Sequence, residues 1–301
     1  MTADSLHLPS ETLDTTLPPR PHPPQVVLHV AARSDCGRVR QNNEDRYIVV
    51  RNDRKVTTLD SNIDASQLAA VPFQTIWGLG VADGMGGHQG GEVASTLALN
   101  LTLQYSQQGL PWYVEIGDRE VREIVKRFES ILEVVTREIS SYAERDASLA
   151  GMGTTLTVGV VRNDRLFVYH VGDSRAYLLR AGHLVRITRD QTVAQDMVDS
   201  GLADCLAGMQ SARHLLTQAM GRGEVAVEVH VLNLEHGDTL LLSTDGLTDG
   251  VEDSEIEAVC RQADPEQACR TLIDRALAAG GRDNITLIVA NVEIAPADST
   301  P

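Results

Sequence analysis

Three aspartates lie at the ends of apolar segments that have the composition of buried strands. Asp83 follows Gly-Leu-Gly-Val-Ala, Asp245 follows Leu-Leu-Leu-Ser-Thr, and Asp283 precedes Asn-Ile-Thr-Leu-Ile-Val. A carboxylate at the end of a buried strand is partly desolvated, and several can stay ionised together only when a cation offsets their repulsion. Because no histidine or cysteine accompanies them, such a group favours Mg²⁺ or Mn²⁺ over zinc. The residue types therefore allow a divalent-cation site, provided that the three carboxylates converge.

Each aspartate also has an ordinary structural explanation. Asp-Gly pairs are common in turns, and they occur here at residues 83–84, 245–246 and 249–250. For any one aspartate taken alone, a turn is the simpler interpretation. Spacing along the chain does not show whether the three side chains meet.

The charge and composition exclude several classes of partner. The chain has 26 Lys and Arg against 42 Asp and Glu, a net charge of −16 that repels nucleic acid and anionic lipid. No apolar run approaches the ~18 residues needed to span a membrane, and no secretory signal is recognisable before Arg20. The four cysteines have no C-x-x-C spacing and predict neither a zinc site nor a disulfide framework. We expect a cytoplasmic protein with no nucleic-acid or membrane partner.

Hydrophobic periodicity predicts the elements that would carry the aspartates. A Pro-rich disordered tail is expected over residues 1–25, a folded domain over 26–293, and a flexible tail over 294–301. The segment before Asp83 reads as a strand over 74–82, after a polar loop over 51–73. Further strands are predicted at 26–32, 46–50, 154–161, 165–171, 175–180, 225–233, 239–244 and 285–292, and helices at 91–107, 119–145, 192–200 and twice within 254–279.

This order of elements predicts an α+β fold. Strands come first, then two long helices, then a meander of strands whose turns at 163–164 and 172–174 indicate antiparallel hairpins. We expect two packed antiparallel β-sheets flanked by pairs of α-helices.

Seven motifs along the chain resemble those of the bacterial metal-dependent (type 2C, PPM) protein serine/threonine phosphatases. The similarity runs from about residue 28 to 292, in the family's order, and identifies 26–293 as a phosphatase catalytic domain. The motifs are Ser34-Asp-Cys-Gly-Arg-Val-Arg-Gln-Asn-Asn-Glu-Asp-Arg, Val81-Ala-Asp-Gly-Met-Gly-Gly-His, Gly151-Met-Gly-Thr-Thr-Leu, Val171-Gly-Asp-Ser-Arg, Leu216-Thr-Gln-Ala-Met-Gly, Ser243-Thr-Asp-Gly-Leu-Thr-Asp-Gly and Asp283-Asn-Ile-Thr.

The resemblance implies a cation-binding set built from acidic side chains and one backbone carbonyl. Asp83 would bridge two Mg²⁺ or Mn²⁺ ions, and the carbonyl of Gly84 would bind the second of them. Asp245 and Asp283 would hold the first ion. Asp173, together with Asp245, would offer a weaker third position.

Other residues would act on water and substrate. Glu44 and Asp45 would act through cation-bound waters, and Arg40 would bind the substrate phosphate through its planar fork of donors. His88 is a candidate general acid for the leaving oxygen, but a structural role is equally compatible with its position. In animal relatives the histidine directly follows the Asp-Gly pair, a place that Met85 occupies here.

The activity implied is hydrolysis of phosphoserine and phosphothreonine by direct attack of a water bridging two divalent metal ions. The partners would be phosphorylated proteins, substrates of a Hanks-type kinase, and a monomer is expected. Residues 189–217 correspond to the family's mobile flap, where Arg213 and His214 could touch a phosphopeptide or simply be solvated.

Two alternatives stay open. A metal-dependent hydrolase of small phosphate esters would have much the same site. An inactive partner-binding module of the same fold should have lost ligands that this chain retains.

Overall fold

A computed structural model describes residues 25–55, 57–63, 74–86, 90–110, 116–202, 212 and 214–295. Within these residues the chain forms two five-stranded antiparallel sheets, a two-stranded ribbon and six α-helices. Residues 1–24 and 296–301 lie outside the described ranges, so there the predicted tails, 1–25 and 294–301, stay predictions. The tails are shorter than predicted at their inner ends, because Gln25, Ile294 and Ala295 belong to strands. None of the helices described is both long enough and apolar enough to cross a membrane.

The elements have the following bounds. The strands are β1 Gln25–Asp35, β2 Arg46–Arg54, β3 Gln74–Ala82, β4 Gly84–Met85, β5 Gly153–Thr154, β6 Leu156–Arg162, β7 Arg165–Val171, β8 Arg175–Arg180, β9 His183–Arg186, β10 Glu228–Asn233, β11 Thr239–Ser243 and β12 Ile285–Ala295. The helices are α1 Gly90–Gly109, α2 Asp118–Arg145, α3 Val193–Asp199, α4 Asp245–Thr248, α5 Asp253–Cys260 and α6 Pro265–Ala278, with a 3₁₀ turn at Ala147–Leu149.

The two sheets pack face to face, with helices on the outside. One sheet has the order β10-β7-β6-β3-β2 and is covered by α1 and α2; the other has the order β1-β12-β11-β8-β9 and is covered by α5 and α6. The layer between the sheets is almost entirely aliphatic and includes Leu79, Val168, Leu178, Leu242 and Ile288. The predicted α+β sandwich is confirmed.

The long helix α2 follows directly from its apolar stripe. Buried residues recur every three or four positions, so one face of the helix lies on the sheet. Phe128 on this face stacks on Tyr169 of β7 with ring centroids 4.0 Å apart. The buried residues of the stripe are Ile124, Phe128, Ile131, Leu132, Val135, Thr136 and Ile139.

The predicted hairpin between β7 and β8 is wrong. β7 pairs with β6 and β10 in one sheet, whereas β8 pairs with β11 and β9 in the other. Because both edges of β7 already have partners, residues 172–174 carry the chain from one sheet to the other. The hairpin actually formed joins β8 to β9 through Ala181 and Gly182, whose φ angles of 49° and 81° suit a two-residue turn.

Several element boundaries also differ from the prediction. β2 continues to Arg54, so the first four residues of the predicted loop 51–73 are strand. These residues are exposed on the edge of a sheet, where charged side chains are usual and conceal the strand pattern. β4, β5, β9 and α4 had no counterpart in the prediction because they are too short to show a period.

Replacing Phe128 by Ala should lower the free energy of unfolding by about 3–5 kcal/mol, because it removes a buried ring that is stacked on Tyr169. Chemical denaturation measures the effect. Tyr142→Ala is the control, since Tyr142 lies on the same helix with 43% of its surface exposed. We expect less than about 1 kcal/mol for the control. Equal losses for the two variants would contradict the assignment of this helix face to the core.

Candidate active site

Acidic side chains from both sheets meet at one end of the sandwich. Asp83 follows β3, Asp245 follows β11, and Asp173 lies in the crossover between β7 and β8. One carboxylate oxygen from each of these three residues lies within 4.8 Å of the others. The convergence that the sequence left open therefore occurs for Asp83 and Asp245, with Asp173 as the third member; these three residues are called the acidic cluster below.

Two glycines allow the backbones around the acidic cluster to approach closely. A Cβ on Gly246 would lie 2.0 Å from the carbonyl oxygen of Asn284, and a Cβ on Gly84 would lie 2.1 Å from that of Gly91. Neither distance is possible for a side chain, so both positions require glycine. The first contact brings the segment after β11 against the start of β12, and the second brings the segment after β3 against α1.

The backbone of Asp83 is held on both sides by two threonines. Its N–H donates to Thr155 Oγ1 at 2.9 Å, and its carbonyl accepts from the Thr155 N–H at 2.9 Å and from Thr154 Oγ1 at 2.8 Å. Both threonines are buried. These bonds fix the backbone of Asp83, and they therefore fix the position from which its carboxylate points into the cluster.

The acidic cluster carries more negative charge than its surroundings offset. Burial, and then the neighbouring carboxylates, hold the pKa of Asp83 and of Asp173 well above the usual range of an aspartate. Asp45, only 2% exposed, lies beside them, and burial raises its pKa to about 7 although Thr244 donates a hydrogen bond to it at 2.7 Å. A cation bound among these carboxylates would offset their mutual repulsion and stabilise their ionised forms.

The donor set fits hard divalent cations. Among the described residues, Asp45 Oδ1 and Asp245 Oδ1 are buried carboxylate oxygens without a hydrogen-bond partner. An acceptor of this kind is costly unless something binds it, and carboxylate oxygens are the ligands that Mg²⁺ and Mn²⁺ prefer. The residues present therefore match the ion type expected from the sequence.

Asp283 lies beside the acidic cluster but is engaged by Arg40. Asp283 Oδ2 accepts from Arg40 Nη2 at 2.6 Å, and Oδ1 accepts from the backbone N–H of Asn284 at 2.8 Å. The nearby negative charge of Asp283 also contributes to the raised pKa of Asp83. The family resemblance implied a phosphate as the partner of Arg40 and a cation as the partner of Asp283; in this structure the two side chains pair with each other.

Glu44 and its loop are attached to the site by Asn284, a residue to which sequence reasoning assigned no role. The Asn284 amide donates to the carbonyls of Cys36 and Asn42, both at 2.9 Å, and its Oδ1 accepts from the Glu44 N–H at 2.8 Å. Asn284 is buried and uses its whole side-chain amide in this way. Its position directly after Asp283 was the feature of the sequence that could have indicated this role.

The carboxyl group of Glu44 is itself partly buried, and this burial raises its pKa.

The roles of Gly84 and His88, like those of the other site residues, stay predictions. Gly84 is buried in the two-stranded ribbon, where it pairs with Thr154, and its carbonyl remains a predicted ligand. His88 lies outside the described residues, so its candidacy as general acid is neither supported nor opposed. Arg213 of the flap is also outside them.

The flap places a different histidine at the acidic cluster. His214 Nδ1 lies 3.6 Å from Asp245 Oδ2 and 3.8 Å from Asp249 Oδ2. Asp245, and then Asp249, raise the pKa of the His214 imidazole to about 9. His214 is therefore not a merely solvated loop residue, although its side chain is 54% exposed.

The Cys269–Arg275 pair does not support a cysteine mechanism. Cys269 and Arg275 have the Cys-x5-Arg spacing of thiol phosphatases, but both belong to α6. The Cys269 thiol is fully buried, contacts the carbonyl of Ala31 at 3.5 Å, and has its pKa raised by burial to about 12. A thiol that is neutral and inaccessible cannot serve as a nucleophile.

Comparison with known proteins identifies the family. A family model described as protein phosphatase 2C matches residues 60–279. The serine/threonine protein phosphatase PstP of Mycobacterium tuberculosis is 34% identical over 268 residues, which cover 89% of this chain and 45% of PstP. This chain therefore spans about half the length of that relative. The serine/threonine phosphatase stp of Listeria monocytogenes is 31% identical over 271 residues, covering 89% of this chain and 97% of stp.

Solved structures show the same architecture. The catalytic domain of PstP in complex with two manganese ions aligns with a TM-score of 0.69 and 33% identity, covering 89% of this chain and all of that one. The Streptococcus agalactiae serine/threonine phosphatase aligns with a TM-score of 0.72 and 27% identity over 89% of this chain. With the fold, the acidic cluster and these relatives in agreement, the chain belongs to the protein phosphatase 2C family.

Proposed function

We propose that this protein is a metal-dependent serine/threonine protein phosphatase that hydrolyses phosphoserine and phosphothreonine by direct attack of water. The observation that carries the proposal is the acidic cluster, whose carboxylate oxygens lie within 4.8 Å of one another. Asp245 Oδ1 and the neighbouring Asp45 Oδ1 are buried without a hydrogen-bond partner among the described residues. The names of the relatives and the manganese complex of PstP support the same activity.

Asp83, Asp245 and Asp283 would hold two Mg²⁺ or Mn²⁺ ions, with the Gly84 carbonyl as a further ligand. When bound, the ions supply Lewis acidity that lowers the pKa of the attacking water and offsets charge on the phosphoryl oxygens. Glu44 and Asp45 would orient water around this site. Asp173 would contribute a third, weaker position beside Asp245, a placement that its distance from Asp245 supports.

Arg40 would bind the phosphate of the substrate once it is released from Asp283. Its side chain is 54% exposed at the mouth of the site, so it can turn toward a ligand. A guanidinium donates two parallel hydrogen bonds to a phosphate, which suits a group that must be held while water attacks. Because Asp283 would also help to hold a cation, its carboxylate would be shared between Arg40 and the metal site, and metal binding would favour this release.

The open shape of the site favours protein substrates over the alternative of small phosphate esters. Arg40 and His214 at its mouth are both more than half exposed, which leaves room for a peptide chain. We infer phosphoproteins made by a Hanks-type kinase as partners, with a monomer in the cytoplasm. The inactive-module alternative is disfavoured because the predicted acidic ligands lie near one another: Asp45, Asp173, Asp245 and Asp283 surround Asp83, and Glu44 lies near Asp283.

Asp83→Asn should abolish metal-dependent release of phosphate from a phosphothreonine peptide, lowering kcat/KM at least about 10³-fold, because the two cations lose their shared ligand. Phosphate is measured with Mn²⁺, with Mg²⁺ and with EDTA. Asp118→Asn is the control, an exposed acid in the first turn of α2, and it should retain wild-type rates. Wild-type protein that is folded but inactive with both metals would contradict the proposed activity.

The substrate class is tested in the same assay. A phosphothreonine peptide should be preferred over p-nitrophenyl phosphate in kcat/KM. Equal or reversed preference would favour the small-ester alternative.

In EDTA, Asp45 should make the protein less stable as pH rises from about 4 to about 7. The folded-state pKa is raised to about 7, so over this interval the folded state binds a proton that the unfolded state, with an Asp pKa of about 3.9, has lost. Asp45→Asn should remove this contribution, on the order of 2–4 kcal/mol at pH 7 relative to pH 4. Urea unfolding across this pH range measures it.

Asp60→Asn, at an exposed position, is the control for the pH dependence. It should reproduce the wild-type slope of stability against pH. An unchanged slope in Asp45→Asn would show that Asp45 is already ionised at pH 4 in the folded protein.

Arg40→Ala should raise KM for the phosphothreonine peptide by roughly 10–100-fold, because two charge-assisted hydrogen bonds to the phosphate are lost. Arg40→Lys should fall between the wild type and the Ala variant, since it retains the charge without the planar fork. Calorimetric Mn²⁺ affinity of Arg40→Ala should equal or exceed that of the wild type, because Arg40 no longer competes for Asp283. Weaker Mn²⁺ binding would contradict the competition.

A further inference from the structure

A buried histidine connects the flap to the strand that leads into the acidic cluster. His170 of β7 has 0% of its surface exposed and lies three residues before Asp173. Its Nε2 is 3.1 Å from the carbonyl oxygen of Arg189, and its Nδ1 is 2.9 Å from Thr157 Oγ1. Since a carbonyl only accepts, Nε2 carries a proton. Burial lowers the pKa of the imidazole, so the ring is neutral and the Thr157 hydroxyl donates to Nδ1.

The segment that His170 holds is the base of the flap, residues 189–191, and it encloses Asp173 from both sides. Before Asp173, the Gly172 N–H donates to Gln191 Oε1 at 2.8 Å, and the Gln191 N–H donates to the Gly172 carbonyl at 2.7 Å. After it, Arg175 forms a two-pronged ion pair with Asp190, at 2.9 and 2.7 Å. The flap base therefore determines where the Asp173 backbone lies.

The flap base and the residue two positions after it also hydrogen-bond to the C-terminal end of the flap, residues 215–217. The Thr217 N–H donates to the Gln191 carbonyl at 2.8 Å, and the Val193 N–H donates to the Leu215 carbonyl at 2.9 Å. His214, which lies 3.6 Å from Asp245, directly precedes this end of the flap. Displacement of the flap base would therefore move both Asp173 and His214.

A second set of buried hydroxyl groups joins the crossover to Asp83. Thr155 Oγ1 accepts from the Asp83 N–H at 2.9 Å, and the hydroxyls of Thr155 and Ser174 share a hydrogen bond of 2.7 Å. Both hydroxyl-bearing residues are buried. The flap base, Asp173 and Asp83 therefore belong to one connected arrangement, and His170 is its attachment to the flap.

We propose that His170 is a positioning residue that holds the flap base, through its Nε2–H bond to the Arg189 carbonyl, in the place where Asp173 and the flap meet the acidic cluster. An apolar side chain could fill this buried position without polar partners. His170 instead uses both ring nitrogens in hydrogen bonds, which indicates that the contacts matter as well as the volume. The proposal rests on the proposed phosphatase function, but the attachment itself can be measured without catalysis.

A matched pair of variants separates the two nitrogens of His170. His170→Gln places an amide nitrogen near the position of Nε2 and retains the donor to Arg189, whereas His170→Asn reaches only the position of Nδ1. We expect the amides of Val193 and Thr217 to exchange hydrogen about tenfold faster in the Asn variant and at close to the wild-type rate in the Gln variant. With the phosphothreonine peptide and saturating Mn²⁺, kcat should fall about tenfold in the Asn variant while KM changes little. A loss of about tenfold is usual when a residue that supports a metal site is replaced.

Thr157→Val is the control for a purely structural effect, because it removes the partner of Nδ1 and leaves the bond to Arg189. It should lower stability without changing exchange at Val193 and Thr217. Equal exchange and equal kcat in the Asn and Gln variants of His170 would overturn the proposal.

Two further measurements keep the test decisive. If His170→Asn does not fold, Gln191→Met removes contacts of the same flap base and should accelerate exchange at Thr217; unchanged exchange would again overturn the proposal. A wild-type protein without phosphatase activity would contradict the proposed function alone, since the exchange rates still report on His170.

Discussion

Carboxylates that share a partly buried space repel one another, and the end of this sandwich holds three of them within 4.8 Å, with a fourth, Asp45, buried alongside. Burial, and then this repulsion, raise the pKa values of Asp83, Asp173 and Asp45. A folded protein retains such an arrangement only if its scaffold is strong enough to impose it. Divalent cations would make this unfavourable arrangement a binding site, so the repulsion that lowers stability is also what would attract the ions.

The scaffold supplies that strength in two ways. The aliphatic layer between the sheets and the helices outside them fix the strands from which Asp83 and Asp245 emerge. Close to the acids, hydrogen bonds to main-chain groups take over, as Thr155 does for Asp83 and Asn284 does for the loop that carries Glu44. Because these contacts are made to main-chain groups, they orient the acidic residues and leave the carboxylates unneutralised.

The part of the site nearest solvent is organised differently, by charged side chains that can change partners. Arg40 pairs with Asp283 and is half exposed, and His214 approaches Asp245 and Asp249 from the flap. The interior network through His170 and Gln191 contrasts with them because its members are buried and fully engaged. The inner half of the site is thus held by buried neutral contacts, whereas its outer half consists of exposed charged side chains.

The sequence by itself determined the class of fold, the main helices and strands, and the aspartates at the strand ends, because hydrophobic period and residue type are local properties. It did not determine that residues 172–174 cross between sheets, since that depends on whether both edges of β7 are already paired. Nor did it indicate that Arg40 pairs with Asp283, 243 positions away, or that His170 holds the flap. Only the tertiary structure decided these contacts, because each depends on which groups from distant segments the packed sheets bring together.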